Sequence, residues 1–215
     1  ANAMSRKNYD LVDYDGSETV KCYLAAQMEL EMAMESLIRQ LEEAGIADDT
    51  VIVISPDHYP YGLERSATWG NAENYLTELY GVTEMNRFTR DSNALIIWSG
   101  CLEDKNLKVE TPVYSLDILP TLSNLFGLNY DSRLLVGRDV FSDTEPLVLW
   151  PEYSWKTDKG TYEAESRTFT PAEGAEVDDG YVDRINAIVS NKINYSREVQ
   201  NMKYFQVLSD YLNGK

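Results

Sequence analysis

The chain has 215 residues, 43% of them hydrophobic, with 15 tyrosines and 4 tryptophans. That is enough to bury one sizeable core with a small appendage, and it argues against disorder. Lys+Arg 19 against Asp+Glu 36 gives a net charge of −17, a surface that repels a phosphate backbone and argues against a nucleic-acid partner. Most of these carboxylates serve solubility, and an anionic substrate would need a local cation, for which a bound metal is the simplest source.

Ala1-Asn2-Ala3 before Met4 reads as a cloning scar, and residues 4–16 as a polar, flexible lead-in. From about Ser17 to Ala44 the spacing predicts a helix, with Tyr23, Leu30, Met34, Leu37 and Leu41 on one stripe. Gly45 should end it as a left-handed cap. The run Val51-Ile52-Val53-Ile54, fenced by Asp48-Asp49 and Pro56, reads as a buried parallel strand. Asp57 and His58, the only histidine, follow where that strand enters its loop. Open α/β sheets place ligands there, and an imidazole beside a carboxylate offers nitrogen and oxygen donors for a divalent metal. A loop histidine with an acidic neighbour is the plainer reading of the dipeptide alone.

The loop from Tyr59 to Gly70 is rich in Tyr, Pro and Gly. Tyr59 and Tyr61 flank the Asp-His pair and are candidate substrate contacts, although such tyrosines more often anchor a loop. Arg65 is a candidate for a phosphate or sulfate oxygen, against the plainer reading of a surface ion pair with Glu64 or Glu73. Asn71 is a suitable N-cap for a short helix ending near Tyr80, and Asn93 to Trp98 reads as a second buried strand. Asp117 can cap a helix carrying Ile118, Leu119, Leu122, Leu125 and Phe126, stopped by Gly127. Arg138 and Asp139 read as a structural turn.

Pro146 to Trp150 gives another strand, and residues 152–170 a hairpin turning at Lys159-Gly160. Trp150, Tyr153 and Trp155 cluster there as core or interface. Two helices, roughly 180–191 and 196–212, close the chain. Cys22 and Cys101 lack metal-type spacing, and their pairing is left open. The longest apolar stretches are about five residues, far short of the roughly 20 that span a bilayer.

Three stretches together resemble the C-terminal half of the lipoteichoic acid synthase and sulfatase group of the alkaline phosphatase superfamily. They are Tyr23 to His58; Tyr114 to Leu122, running on to Leu125-Phe126-Gly127-Leu128; and Gly137-Arg138-Asp139-Val140-Phe141-Ser142 before the strand at 146–150. The resemblance implies the C-terminal part of an alkaline phosphatase-like sandwich: α/β, with a mostly parallel sheet, a small antiparallel hairpin and C-terminal helices. Residues 17–150 would form the partial domain, with 151–215 packed on it.

The resemblance also implies a divalent metal, Mn²⁺ or Mg²⁺ in the synthases and Ca²⁺ in a sulfatase, and maps the Asp-His ligand pair onto Asp57 and His58. A glutamate ligand and a threonine nucleophile would lie upstream, so the fragment should be inactive alone. The implied substrate is a phosphate ester such as a phosphatidylglycerol headgroup, and the implied parent a bacterial membrane protein with its catalytic domain outside. Two departures stand out: Pro56 replaces the small glycine usual before the Asp, and Pro60-Tyr61-Gly62 occupies a region that often holds a substrate-binding serine. A sulfatase or phosphonate-ester hydrolase is the alternative within the class. A non-catalytic interaction domain is the alternative from another. A partial sheet would leave exposed edges, which leads to the expectation of a homodimer or swapped form.

Overall fold

The computed structural model describes residues 6–64, 75–102 and 107–214. The chain forms two compact units, 1–107 and 108–215.

In the first unit, α1 (Glu18–Glu43) begins where Ser17 takes an extended backbone and its hydroxyl accepts from the Val20 N–H at 3.2 Å. That satisfies one of the amides a helix start leaves without an intrahelical partner. Gly45 follows the helix with φ +69°, the left-handed position expected of it. The expected stripe is not what the helix buries: Tyr23, Met34 and Leu41 are half-buried, Leu30 and Leu37 are exposed, and the buried positions are Val20 and Ala25. The lead-in also departs from an extended tail. Asn8 is buried, and its amide donates to the Ala25 carbonyl at 3.1 Å and to Glu29 at 2.7 Å.

β1 (Ile52–Ile54) pairs with β2 (Ile96–Trp98) in antiparallel register, Val53 opposite Ile97. The expected parallel arrangement is therefore corrected: both sheets among the described residues are antiparallel. The connection from 55 to 95 is long enough for a parallel crossover, so its length does not decide the pairing; its described residues include two short helices, α2 (Tyr75–Tyr80) and α3 (Arg87–Arg90). Nor are these strands buried on both faces. β1 is half-buried throughout, and Ile96 is exposed. Asn71, the expected cap, lies outside the described residues.

In the second unit, α4 (Ile118–Leu125) buries Pro120, Thr121 and Ser123 and turns Leu119 and Leu125 to solvent, with Phe126 beyond its end also exposed. The reason is a polar junction at its N-terminus. Asp117 does not cap α4 with its side chain. Its carboxylate instead accepts from the Tyr114 N–H at 3.2 Å and the Arg138 N–H at 2.7 Å. The Thr121 hydroxyl donates to the Asp117 carbonyl at 2.6 Å and accepts from the Val140 N–H at 3.1 Å. Gly137 lies so close to the backbone of Leu116 that any Cβ there would collide with it. The stretches at 114–122 and 137–142 are thus one buried joint, in which Asp139 accepts from Asn124 at 2.6 Å and closes its own turn through Phe141.

The expected hairpin is a four-stranded antiparallel meander: β3 (Val148–Leu149), β4 (Trp155–Thr157), β5 (Gly160–Glu163) and β6 (Thr168–Pro171). The two expected helices break later than the sequence suggests. α5 (Tyr181–Asn201) runs unbroken, and Lys203 at φ +49° separates it from α6 (Tyr204–Leu212). Trp155, Tyr181, Ile185 and Val189 form the core, with Leu149, Tyr162 and Phe169 packed against it. Trp155 stacks on its cross-strand partner Tyr162 at 5.4 Å, and its indole N–H donates to Asn186 at 2.8 Å. A large ring is thereby buried without stranding its polar atom.

Candidate functional site

Pro56 lies two residues past β1 and directly before the Asp-His pair. A proline holds the residue before it, here Ser55, out of the helical region, so the chain leaves the strand extended. Asp57 and His58 then project into solvent, their side chains 87% and 51% exposed.

The Asp57 Oδ1 lies 3.4 Å from His58 Nε2. On the other side of the ring, His58 Nδ1 is 2.7 Å from the Tyr59 carbonyl oxygen. A carbonyl can only accept, so Nδ1 carries the hydrogen, and in the neutral ring Nε2 keeps its lone pair. In that neutral form two electron-rich atoms face one another with no hydrogen between them, an arrangement that a cation relieves; a proton on Nε2 makes the same contact an ion pair. Two ligand atoms each about 2.1 Å from one ion span about 3.0 Å at a right angle and about 3.4 Å at the tetrahedral angle. The pair fits that span. Among the described residues no group of three or more His, Cys, Asp or Glu side chains could hold a metal.

The tyrosines sit where the sequence puts them. Tyr61 packs on the imidazole with ring centroids 4.6 Å apart and is itself 61% exposed, forming an apolar wall beside the pair. Tyr59 meets Tyr61 edge-on at 6.4 Å. Its hydroxyl is held above the ordinary phenol value by desolvation first, and then by a hydrogen bond to Glu64. Arg65 lies outside the described residues. The arginine that the structure does bring here is Arg90, whose guanidinium covers the Tyr59 ring at 4.5 Å. It bonds Asp91 at 2.9 Å and pairs with Glu64 at 3.7 Å. No local motif ties Arg90 to this loop, because Tyr59 and Glu64 are distant from it in sequence. Cys22 and Cys101 are not joined in a disulfide, and the Cys101 Sγ lies 3.4 Å from the Ser99 hydroxyl.

The Sulfatase family model matches residues 2–128, more than half of the chain. The chain belongs to the sulfatase family. Within it, the lipoteichoic acid synthase of Staphylococcus saprophyticus is 27% identical over 139 residues, covering 61% of this chain and 20% of that protein. The lipoteichoic acid synthase of Staphylococcus aureus is 28% identical over 140 residues, covering 62% of this chain and 20% of that protein. This sulfatase-family chain thus spans about a fifth of the length of the curated relatives it matches. No helix among its described residues is long and apolar enough to cross a membrane.

Proposed function

We propose that this chain contributes the Asp-His metal half-site of a sulfatase-type phosphoglycerol transferase that acts on phosphate esters of membrane-lipid headgroups. The observation that carries this reading is the 3.4 Å separation of Asp57 Oδ1 and His58 Nε2, with the far ring nitrogen tied to the Tyr59 carbonyl. Similarity to the staphylococcal lipoteichoic acid synthases supports the choice of a phosphate over a sulfate ester.

Asp57 and His58 would hold a divalent ion, Mn²⁺ or Mg²⁺. When bound, that ion supplies Lewis-acid polarisation of the ester oxygens. The protein's own contribution is orientation. The Tyr59 carbonyl fixes the imidazole tautomer, as a partner behind a ligating histidine does. The exposed Tyr61 ring offers a wall for the uncharged part of a headgroup. The remaining ligands, the nucleophile and an outward-facing, membrane-anchored setting belong to the parent enzyme in this proposal. The chain alone is accordingly expected to bind the ion weakly and to turn over no ester. Pairing of copies through the open edges of β1 and β2 is part of the same proposal. Light scattering that gave a monomer mass at high concentration would remove that part.

Titration calorimetry with Mn²⁺, run beside an Asp57→Ala variant, tests the site. The variant should bind at least about tenfold more weakly, the loss typical of weakening a metal's ligand set. Equal binding by the two proteins would take Asp57 out of the site. A phosphodiester hydrolysis assay with added Mn²⁺ tests the inactivity, and turnover above buffer would refute it.

The family name keeps a second reading open, that of a sulfatase or phosphonate-ester hydrolase using Ca²⁺ at the same pair. Preferential Ca²⁺ binding in the same titration would favour it.

A further inference from the structure

Tyr59 has two separate parts at work. Its carbonyl receives the His58 Nδ1–H at 2.7 Å and also the Tyr61 N–H at 2.8 Å. Its ring lies under the Arg90 guanidinium at 4.5 Å. The carbonyl sits in an exposed loop, so its direction is only as fixed as the residue that carries it. Arg90 supplies that fixity from another part of the unit. It engages the Tyr59 ring near one end of the loop and the Glu64 carboxylate, at 3.7 Å, near the other. Arg90 is itself anchored: its Nε bonds Asp91 Oδ1 at 2.9 Å, and its backbone carbonyl receives the Tyr80 hydroxyl at 3.0 Å.

We propose that Arg90 is a positioning residue for His58. By clamping the Tyr59 ring it holds the Tyr59 carbonyl behind the imidazole, and so keeps the Nε2 lone pair turned toward Asp57. The chain of contacts runs from Arg90 to the Tyr59 ring, through the Tyr59 backbone, to Nδ1. A cation over an aromatic face is directional enough to hold that ring, and the bond at one imidazole nitrogen decides which nitrogen is free for a ligand. Arg90 touches neither Asp57 nor His58 in this scheme, and it acts only through Tyr59. The consequence for metal binding rests on the reading of Asp57 and His58 given above, whereas the ring's tautomer can be measured with no metal present.

The single histidine makes the test direct, because ¹⁵N-histidine labelling yields one pair of ring nitrogens. Spectra are recorded without metal, about two pH units above the ordinary imidazole value of about 6.5, so that the ring is neutral. The parent protein should show a protonated Nδ1 and an unprotonated Nε2. Arg90→Ala should shift the population several-fold toward the Nε2–H form that a free imidazole prefers. Tyr59→Leu keeps the carbonyl but removes the ring face, and should do the same. Arg90→Lys, which retains the cation but not the planar fork, should fall between. Backbone amide spectra identify any variant that fails to fold, and the remaining variants then decide the matter.

An Nε2–H tautomer in the parent protein would overturn the proposal. So would an unchanged ring in folded Arg90→Ala, or a Tyr59→Leu ring that stays as in the parent. Adding Mn²⁺ separates this inference from the functional reading. Paramagnetic broadening of the His58 ring should need several-fold more Mn²⁺ in Arg90→Ala than in the parent. A tautomer shift with no broadening in any protein would keep Arg90 as the positioning residue and discard the metal site.

Discussion

Asp57 in the first unit and Asp117 in the second show how differently one side chain can be used. Asp57 is 87% exposed and faces the His58 ring. Asp117 is 1% exposed, and its two oxygens each accept a backbone N–H, from Tyr114 and from Arg138. Burial places a cost on a carboxylate that well-placed N–H donors reduce. Asp117 has those partners, and they join two chain segments. Asp57 has acceptor capacity left over and is open to solvent, which suits a ligand and not a joint. Both aspartates lie in stretches that carry the family resemblance, so resemblance alone does not tell a structural carboxylate from a chemical one. Burial and hydrogen-bond partners do.

The largest expected effect comes from breaking the joint. Asp117→Ala leaves two half-buried amides without their acceptor, each at about 1–3 kcal/mol, and should destabilise the second unit by roughly 2–5 kcal/mol. Hydrogen exchange at the Tyr114 and Arg138 amides reports it locally, since both should exchange far faster in the variant. Protection equal to the parent's at these two amides would mean that the carboxylate is not what holds the joint together.

A smaller effect follows from charge. Desolvation, the largest influence, raises the Asp117 pKa above 3.8, outweighing the amides of Arg138 and Tyr114 and the charges of Arg138 and Lys192. The native state thus holds its proton to higher pH than the unfolded chain does. The Asp117 contribution is fully present below 3.8 and declines as pH rises through the raised native value. Asp131 runs the other way: Arg133 lowers it to about 2, so its contribution is lost only in acid. Subtracting the stability of Asp117→Asn from that of the parent cancels Asp131 and all other shared groups. The difference should shrink as pH rises above 3.8. A difference that grew with pH would mean that the amides and cations, not desolvation, dominate at Asp117.

The same comparison shows what the sequence could convey. Local chemistry was readable. Ser17 and Gly45 bound α1 as their residue types require, and Gly127 takes φ +60° just past α4. A strand within the apolar run at 51–54 was also readable, though not its pairing or burial, and so was Tyr61 beside the His58 ring, because each depends on neighbours in the chain. What depended on distant partners was not. Periodicity found α4 but not which face it buries, because Thr121 is drawn inward by Asp117 and Val140. An apolar run fits a parallel and an antiparallel strand equally, and the pairing across the sheet that distinguishes them is not written in the run. Arg90 was invisible for the same reason, since nothing near it in sequence points to Tyr59. The break expected near 191–196 failed because Ile193 packs against the core and Lys192 donates to the Val136 carbonyl at 2.6 Å, so α5 runs on and the chain turns only at Lys203.

The smallest effect on stability should fall on the residue proposed to matter most for chemistry. Asp57→Ala removes an exposed side chain with no buried amide depending on it, so its thermal or urea midpoint should stay within about 0.5 kcal/mol of the parent. With the ring neutral the variant should gain slightly, since the carboxylate and the Nε2 lone pair repel when neither carries a proton. A loss comparable to that of Asp117→Ala would place Asp57 among the structural carboxylates and collapse the contrast. A neutral or slightly positive change, together with the lost Mn²⁺ affinity, would mark Asp57 as a residue held at some cost to folding for what it binds. Acceptor capacity left open in a loop is the feature that separates these outcomes, because stability alone gives no reason to keep a carboxylate and an imidazole lone pair face to face.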